Sequence, residues 1–408
     1  MKKLTGPFSQ IITLNHLPAK GAIKDEQLEI ITDGGILTEG DNIMQTGDFN
    51  ALAKANPDAE ITYINGDFVA LPAFTDCHTH ICFAGSRAKD YAARNNGKTY
   101  QEIAKAGGGI WDTVTKTREA SLETLQQNVI EKLDTLLKRG ITTVEVKSGY
   151  GLSLDDELKM LRAIKQAGEK HPSDVISTCL AAHIVPKDFQ NEATYLQFIL
   201  DELVPIIKSE NLTSRFDIFI EQNAFSTEGA KFYLNQLKEQ GFELTVHGDQ
   251  FSTGGSKVAV DCGAVSVDHL EVSGEEEIER LAKSETIPVV LPGASMGLGM
   301  SFSPARKLLN AGCGLAIASD WNPGSAPQGN LLSQAALLGT YEKLSAAEVF
   351  AGITFRAAKA LKLFDRGVLK AGNLADFIAF NCNDYREILY HQGELQAEKV
   401  WKKGCQII

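Results

Sequence analysis

The stretch Leu71–Cys82, LPAFTDCHTHIC, decides how the rest of the chain is interpreted. Its apolar residues lead into Asp76 and then into His78 and His80, which a single residue separates. Successive side chains of a strand point to opposite faces, so His78 and His80 would share one face. Two imidazoles on one face, at the carboxyl end of a buried strand, predict half of a metal site.

The composition indicates a globular protein with a large core. Of 408 residues, 43% are hydrophobic and 23% are charged, and the net charge is −12. An acidic chain suits neither nucleic acid nor an anionic membrane, so we expect a small-molecule substrate as its partner. No apolar run reaches the roughly 18–20 residues of a membrane-spanning helix, and the first residues lack the apolar core of a signal peptide. Seven scattered cysteines without a CxxC pair indicate a reducing compartment, so we expect a cytoplasmic protein.

The middle of the chain alternates strand-like apolar runs with amphipathic helical patterns. Eight runs predict strands: Phe68–Phe74, Ile141–Val146, Val175–Ala182, Phe216–Ile220, Glu243–Val246, Ala264–Val267, Ile287–Leu291 and Gly314–Ala318. Eight strands with intervening helices predict an α/β fold, a TIM-like (β/α)₈ barrel.

Short strand patterns separated by turn signals fill the two ends of the chain. Turns such as Asp33-Gly34-Gly35 separate the first of them, and Asp376–Phe380 provides another near the other end. We therefore expect a small β-sandwich subdomain built from both termini, residues 1–67 plus 364–408, and a barrel over residues 68–363.

Histidines gather where the predicted strands end, which is where barrels of this kind place their active sites. Five of the eight histidines do so: His78, His80, His183, His247 and His269. Asp320 follows the last strand. His78, His80, His247 and Asp320 together form a donor set suited to Zn²⁺ or Fe. The alternatives are that a strand-end histidine is a hydrogen-bonded structural residue and that Asp320 is a helix N-cap.

The order of these residues, in a barrel with a split β-subdomain, resembles the amidohydrolase superfamily. Within it, the chain resembles the imidazolonepropionase family in these motifs: FTDCHTHICFAGSRAKDY, GGGIWDTVTKTREAS, VEVKSGYGL, AAHIVP, VHGDQF, VDHLE and SDWNPGS. The resemblance implies hydrolytic ring opening of 4-imidazolone-5-propanoate to N-formimidoyl-L-glutamate in histidine degradation. It also implies one Zn²⁺ or Fe³⁺ ion per chain and a homodimer.

Carried over residue by residue, the resemblance implies a complete site. The metal ligands would be His78, His80, His247 and Asp320, and the substrate-binding residues Arg87, Tyr150, His183, Gln250, Asn322, Gly324 and Ser325. Asp320 would also accept the proton of the attacking water and deliver it to the ring nitrogen, while His269 would stabilise the oxyanion. Arg87 would bind the propanoate through a bidentate fork, the alternative being an ion pair with Asp90.

Two other functions fit parts of the pattern. A deaminase of the same superfamily, or another cyclic amidase, would use the same metal ligands. Deaminases commonly place a proton-shuttling glutamate soon after the histidine of the fifth strand, where this chain has Asp249 and Gln250. A non-catalytic scaffold would have lost metal ligands, and all four are intact here.

Overall fold

The computed structural model describes residues 1–99, 102 and 105–408. One sheet, here called the terminal sheet, contains β1 (Lys2–Ile12), β2 (Ile30–Glu39), β3 (Asn42–Asp48), β4 (Glu60–Tyr63), β5 (Phe68–Pro72), β14 (Phe377–Asn381), β15 (Ala397–Lys402) and β16 (Cys405–Gln406). The barrel contains β6 (Phe74–Asp76), β7 (Ile141–Lys147), β8 (Asp174–Ala182), β9 (Arg215–Ile218), β10 (Glu243–Gly248), β11 (Ser266–His269), β12 (Ile287–Val290) and β13 (Ala316–Ile317).

The helices lie mostly between the barrel strands. They are α1 (Phe49–Ala55), α2 (Ala88–Asn95), α3 (Ile110–Glu119), α4 (Leu122–Lys138), α5 (Leu154–Lys170), α6 (Glu192–Phe198), α7 (Val204–Glu210), α8 (Thr227–Glu239), α9 (Gly255–Cys262), α10 (Glu275–Ala282), α11 (Pro292–Leu298), α12 (Ala305–Asn310), α13 (Leu331–Glu342), α14 (Ala346–Gly352), α15 (Phe355–Ala360) and α16 (Arg386–Tyr390). A 3₁₀ turn spans Asp25–Gln27 and a π-helical turn spans Ile199–Leu203. Among the described residues, no helix is both long and apolar enough to cross a membrane.

The predicted (β/α)₈ barrel is confirmed. Strands β6 to β13 pair in chain order as one parallel sheet. Backbone hydrogen bonds between the segments that follow β13 and β6 join its two ends: the Asp320 N–H donates to the His78 carbonyl at 3.0 Å, and the His80 N–H donates to the Trp321 carbonyl at 2.9 Å. Three of the predicted metal ligands therefore lie at the seam where the barrel closes.

The prediction that Phe68–Phe74 forms the first barrel strand is wrong. β5 pairs with β14 and β1 of the terminal sheet, whereas β6 pairs with β7 of the barrel. Both strands are fully buried, and the apolar run Phe68–Phe74 extends from β5 to the first residue of β6, so no change of period marks the change of sheet. The division into domains at 67/68 and 363/364 stays a proposal. The chain first passes from the terminal sheet to the barrel at Ala73, between β5 and β6.

The terminal sheet joins the two ends of the chain, as predicted for the β-sandwich subdomain. Its order is β16-β15-β14-β5-β1-β2-β3, with β4 beside β1. Phe377 and Trp401 stack with ring centroids 4.4 Å apart, and Phe8 of β1 meets both rings edge-on. Such aromatic contacts add to the free energy gained by burial, so this cluster holds the terminal segments together.

Candidate metal centre and active site

Four side chains converge at the carboxyl end of the barrel. The Nε2 atom of His80 lies 3.1 Å from that of His78 and 3.2 Å from that of His247. Asp320 Oδ1 lies 3.5 Å from His78 Nε2 and 3.4 Å from His80 Nε2. Ligands at 2.0–2.1 Å around a tetrahedral ion are about 3.3 Å apart, so these distances fit a divalent metal ion.

Buried carboxylates orient two of these histidines. His78 Nδ1 lies 2.6 Å from Asp268 Oδ2, and His247 Nδ1 lies 2.9 Å from Asp217 Oδ2. Burial raises the pKa of Asp268 to about 7, whereas the pKa of Asp217 lies below its usual range. Because an ionised carboxylate only accepts hydrogen bonds, each aspartate in its charged form favours a proton on Nδ1 and leaves Nε2 with its lone pair. Burial lowers the pKa of His247 to about 3 and that of His78 well below its usual value, so both rings are neutral, as metal ligands must be.

Lys147 of β7 lies beneath these carboxylates and is fully buried. Its ammonium donates to Glu145 at 3.0 Å and lies 2.8 Å from Asp217 Oδ2 and 3.7 Å from Asp268 Oδ2. Burial lowers the pKa of Lys147, but Asp217 and Glu145 outweigh that effect and raise it, so the ammonium stays charged. Burial likewise raises the pKa of Asp217, but His247 and Lys147 hold it well below its usual range.

Asp320 adopts the left-handed backbone region, with φ of 52°. Its Oδ2 accepts a hydrogen bond from Asn322 Nδ2 at 2.9 Å, so Oδ1 is the atom that faces His78 and His80. Burial raises the pKa of Asp320 to about 7, against the opposing charge of His269. Positive φ values outside glycine gather at strained functional sites, and this one directs a carboxylate toward the histidines. The alternative role of Asp320 as a helix N-cap is excluded, because α13 begins only at Leu331 with Asn330 as its cap.

His269 also has a positive φ, of 90°, at the end of β11. The Ser303 hydroxyl donates to its carbonyl at 2.6 Å, and its Nδ1 lies 3.5 Å from Glu271 Oε2. Burial lowers the pKa of His269, but Glu271 outweighs it and raises the pKa. His269 also reaches the group of predicted metal ligands. A ring nitrogen of His269, one of His78 and one of His247 all lie within 4.8 Å of one another.

A cavity of about 540 Å³ opens above these groups. Every residue predicted to bind substrate lines it: Arg87, Tyr150, His183, Gln250, Asn322, Gly324 and Ser325. His80, His247, His269 and Asp320 also line it, whereas His78 lies outside the lining. The structure thus brings the predicted site residues together, and their individual roles stay predictions.

Arg87 makes the ion pair with Asp90 that was its alternative role, and it lines the cavity as well. Its Nε lies 2.9 Å from Asp90 Oδ2, and each of the two side chains is largely buried. A Cβ built on Gly324 would lie 2.5 Å from Arg87 Nη1. A side chain at position 324 would therefore displace the guanidinium, which passes directly over the glycine.

His183 and Tyr150 present neutral polar groups to the cavity. His183 Nδ1 donates to the Gly149 carbonyl at 3.0 Å, which leaves Nε2 as an acceptor. Burial lowers the pKa of His183 to about 4 and raises the pKa of the Tyr150 hydroxyl above its usual value. His183 can therefore accept a hydrogen bond from a ligand, and Tyr150 can donate one.

No role was predicted from the sequence for the charged groups beneath the predicted metal ligands or for one arginine of the cavity. Glu145 and Lys147 are two apart in a strand otherwise free of charge, and Asp217 interrupts the apolar run of β9. Charges on one face of a buried strand were the available signal. No comparable signal marked Arg94 in the sequence, because Arg94 lies on a helix and not at a strand end.

Comparison with known proteins identifies the family. The Amidohydrolase family model matches residues 105–408. An imidazolonepropionase of Bdellovibrio bacteriovorus is 38% identical over 98% of this chain and 95% of its own length, and one of Rubrobacter xylanophilus is 40% identical over 93% and 92%. A mutant atrazine chlorohydrolase of Arthrobacter aurescens, solved with zinc and atraton, shares the fold at 16% identity, with a TM-score of 0.70 over 99% of this chain and 95% of that one. The chain belongs to the imidazolonepropionase family of amidohydrolases.

Proposed function

We propose that this protein opens the ring of 4-imidazolone-5-propanoate with water and releases N-formimidoyl-L-glutamate, a step of histidine degradation. The observation that carries the proposal is one cavity that combines the donor set of His80, His247 and Asp320 with Arg87. The donor set would hold a metal ion beside the cyclic amide of the substrate, and the arginine would bind the substrate's carboxylate.

The metal we propose is one Zn²⁺ or Fe³⁺ ion per chain, held by His78, His80, His247 and Asp320. Neutral imidazoles, buried donors and separations of 3.1–3.5 Å support this ligand set. When bound, such an ion would lower the pKa of water toward about 7 and polarise the amide carbonyl.

Asp320 moves the proton in the mechanism we propose. The water oxygen adds to the ring carbonyl carbon, and the Asp320 carboxylate accepts the proton that the water loses. As the carbon–nitrogen bond breaks, Asp320 returns that proton to the departing ring nitrogen. The carbonyl carbon becomes a carboxylic acid, which loses its remaining proton to solvent at neutral pH and leaves as a carboxylate. Burial raises the pKa of Asp320 and so favours uptake of a proton by its carboxylate.

Other residues of the cavity orient the ring and stabilise charge. His269, whose pKa Glu271 raises, donates to the oxygen that becomes negative during the addition of water. His183 accepts a ring N–H at its free Nε2, and Tyr150 donates through its neutral hydroxyl. Gln250 lines the cavity but has no ionisable group, so it orients the substrate or water and moves no proton.

The neutral Gln250 also favours ring hydrolysis over deamination, the second candidate function. A deaminase needs a proton carrier for the departing ammonia, and the position where superfamily deaminases commonly carry glutamate is occupied here by an amide. Ammonia release from aminated rings is therefore the comparison assay.

The test is an assay of purified protein, with its metal content measured, on freshly prepared 4-imidazolone-5-propanoate. We expect about one metal ion per chain and a rapid loss of the ring's ultraviolet absorbance, with no ammonia released from aminated rings. Metal without ring opening would overturn the substrate assignment, and ring opening that persists without metal would overturn the mechanism.

We also propose a homodimer that acts in the cytoplasm. The cavity between α11 and α13 supports an interface, because the apolar side chains of Met296, Phe302 and Tyr341 line it and Tyr341 is 69% exposed. All seven cysteines lie in the described part of the chain and are free thiols, which suits a reducing compartment. Light scattering of the purified protein would measure the oligomeric state.

A further inference from the structure

Helix α2 presents a second arginine to the cavity. Asp90 and Arg94 lie one helical turn apart on this helix, and both line the cavity together with Arg87. The Nε and Nη2 atoms of Arg94 are buried and have no hydrogen-bond partner among the described residues. The Tyr91 ring lies beside the guanidinium, 5.8 Å from ring centroid to Arg94 Cζ.

The charge of Arg87 is already balanced. Its Nε pairs with Asp90 Oδ2 at 2.9 Å, and the same carboxylate oxygen accepts the Gly109 N–H at 2.8 Å. Asp90 thus fixes Arg87 and the start of α3 together, and the pair carries no net charge. Among the described residues that line the cavity, Arg94 is the cation without a carboxylate partner.

Buried N–H groups of a guanidinium that lack a partner are costly, because each has lost its water. A carboxylate ligand would remove that cost, since its two oxygens accept hydrogen bonds from the planar guanidinium. Two arginines and one aspartate carry a net charge of +1, which complements a single carboxylate.

We infer that Arg94 binds the carboxylate of the substrate together with Arg87 and sets the enzyme's preference for an acidic side chain on the ring. The inference rests on the proposed function. In this arrangement Asp90 holds Arg87 in position, and Arg94 supplies the unbalanced positive charge. A substrate whose side chain is neutral would leave that charge without a partner.

The test uses 3-(imidazol-4-yl)propanoate, which has the side chain but no bond to hydrolyse, and its neutral amide. Calorimetry would measure the binding of both by wild type, Arg94→Gln and Arg94→Lys. We expect Arg94→Gln to weaken binding of the acid about tenfold or more, as for a lost charged hydrogen bond, and binding of the amide less than twofold. Arg94→Lys keeps the charge and should lose less affinity for the acid than Arg94→Gln.

Lys89→Gln is the matched control, because Lys89 lies on the same helix, is exposed and carries the same charge. It should leave the affinity for the acid unchanged. The inference is overturned if Arg94→Gln weakens the acid and the amide equally, if it weakens neither, or if wild type does not prefer the acid.

Turnover is measured separately, so that the two proposals can fail independently. Wild type that binds the acid probe but does not open the imidazolone ring would overturn the function and leave Arg94 as an anion-binding residue. Active wild type, with the same KM and the same affinity for the acid in Arg94→Gln, would overturn only the role of Arg94.

Discussion

Lys147 lies with its ammonium group among the carboxylates of Glu145, Asp217 and Asp268, fully excluded from solvent. Two of these carboxylates contact the Nδ1 atoms of His78 and His247. Lys147 therefore acts on the predicted metal ligands through the carboxylates that orient them, without contacting the ligands' donor atoms.

Replacing this lysine should destabilise the protein. Lys147→Met leaves three buried carboxylates without their counter-charge, so we expect the free energy of unfolding to fall by about 3–5 kcal/mol. Urea unfolding would measure the loss. The exposed Lys138 of α4 is the control, and Lys138→Met should change the free energy by less than about 0.5 kcal/mol. Equal stability of the two variants would contradict a stabilising role for the buried network.

Asp320 provides the most direct test of the chemistry. Asp320→Asn keeps the shape of the side chain but removes the charge that we propose binds metal and the group that we propose accepts a proton. We expect kcat to fall by about 100-fold or more, the usual range for loss of general acid–base catalysis. Steady-state kinetics would measure this, with the exposed Asp58→Asn as the control. Near-normal turnover of Asp320→Asn would refute the assignment.

At the scale of elements, the loop after β13 owes its shape to one side chain. Asn322 Nδ2 donates to the Asp320 carbonyl and to the Ser325 hydroxyl, at 2.7 and 2.9 Å. Its Oδ1 accepts the N–H groups of Gly324 and Ser325 at 2.7 and 2.8 Å. The loop is thereby closed into a compact turn that sets Gly324 beneath Arg87.

A methyl group on this loop should disturb substrate binding. The Cβ of Gly324→Ala would meet Arg87 Nη1 at 2.5 Å and displace the guanidinium. We expect KM to rise about tenfold with kcat little changed, because the proposed role of Arg87 is to bind the substrate's side chain, with no part in bond breaking. Gly47→Ala is the control, since its Cβ would make only ordinary contacts with Leu52. A fall in kcat at constant KM would place Arg87 in the chemistry.

Strands and helices could be predicted from the sequence where their hydrophobic periods differ. Strands β7 to β13 alternate with helical patterns, and so the barrel could be recognised. β5 and β6 could not be separated, because both are buried on both faces and share one apolar run. His78, His80 and Asp320 could be predicted as metal ligands because polar residues at strand ends are conspicuous. The partners of Asp217 and Lys147, in contrast, depend on which strands are neighbours in space.

For the whole molecule, the barrel seam links metal binding to stability. Backbone hydrogen bonds join the segments that carry His78, His80 and Asp320, and a bound ion would add bonds across the same seam. We expect removal of metal with a chelator to lower Tm by several degrees and added metal to restore it. Scanning calorimetry would measure both. An unchanged Tm in verified metal-free protein would contradict the ligand set across the seam.

The terminal sheet also affects how the protein is made. The Tyr385 N–H bonds to the Gln10 side chain across 375 residues of sequence. At roughly 5–20 residues per second, ribosomes need about 20–75 s to synthesise that interval. For most of this interval, from the synthesis of β5 until β14 emerges, the edge of β5 that β14 covers is unpaired and apolar, and such an edge templates aggregation. We expect nascent chains to require a chaperone over this interval, and the yield of folded enzyme to depend on how fast the barrel is translated.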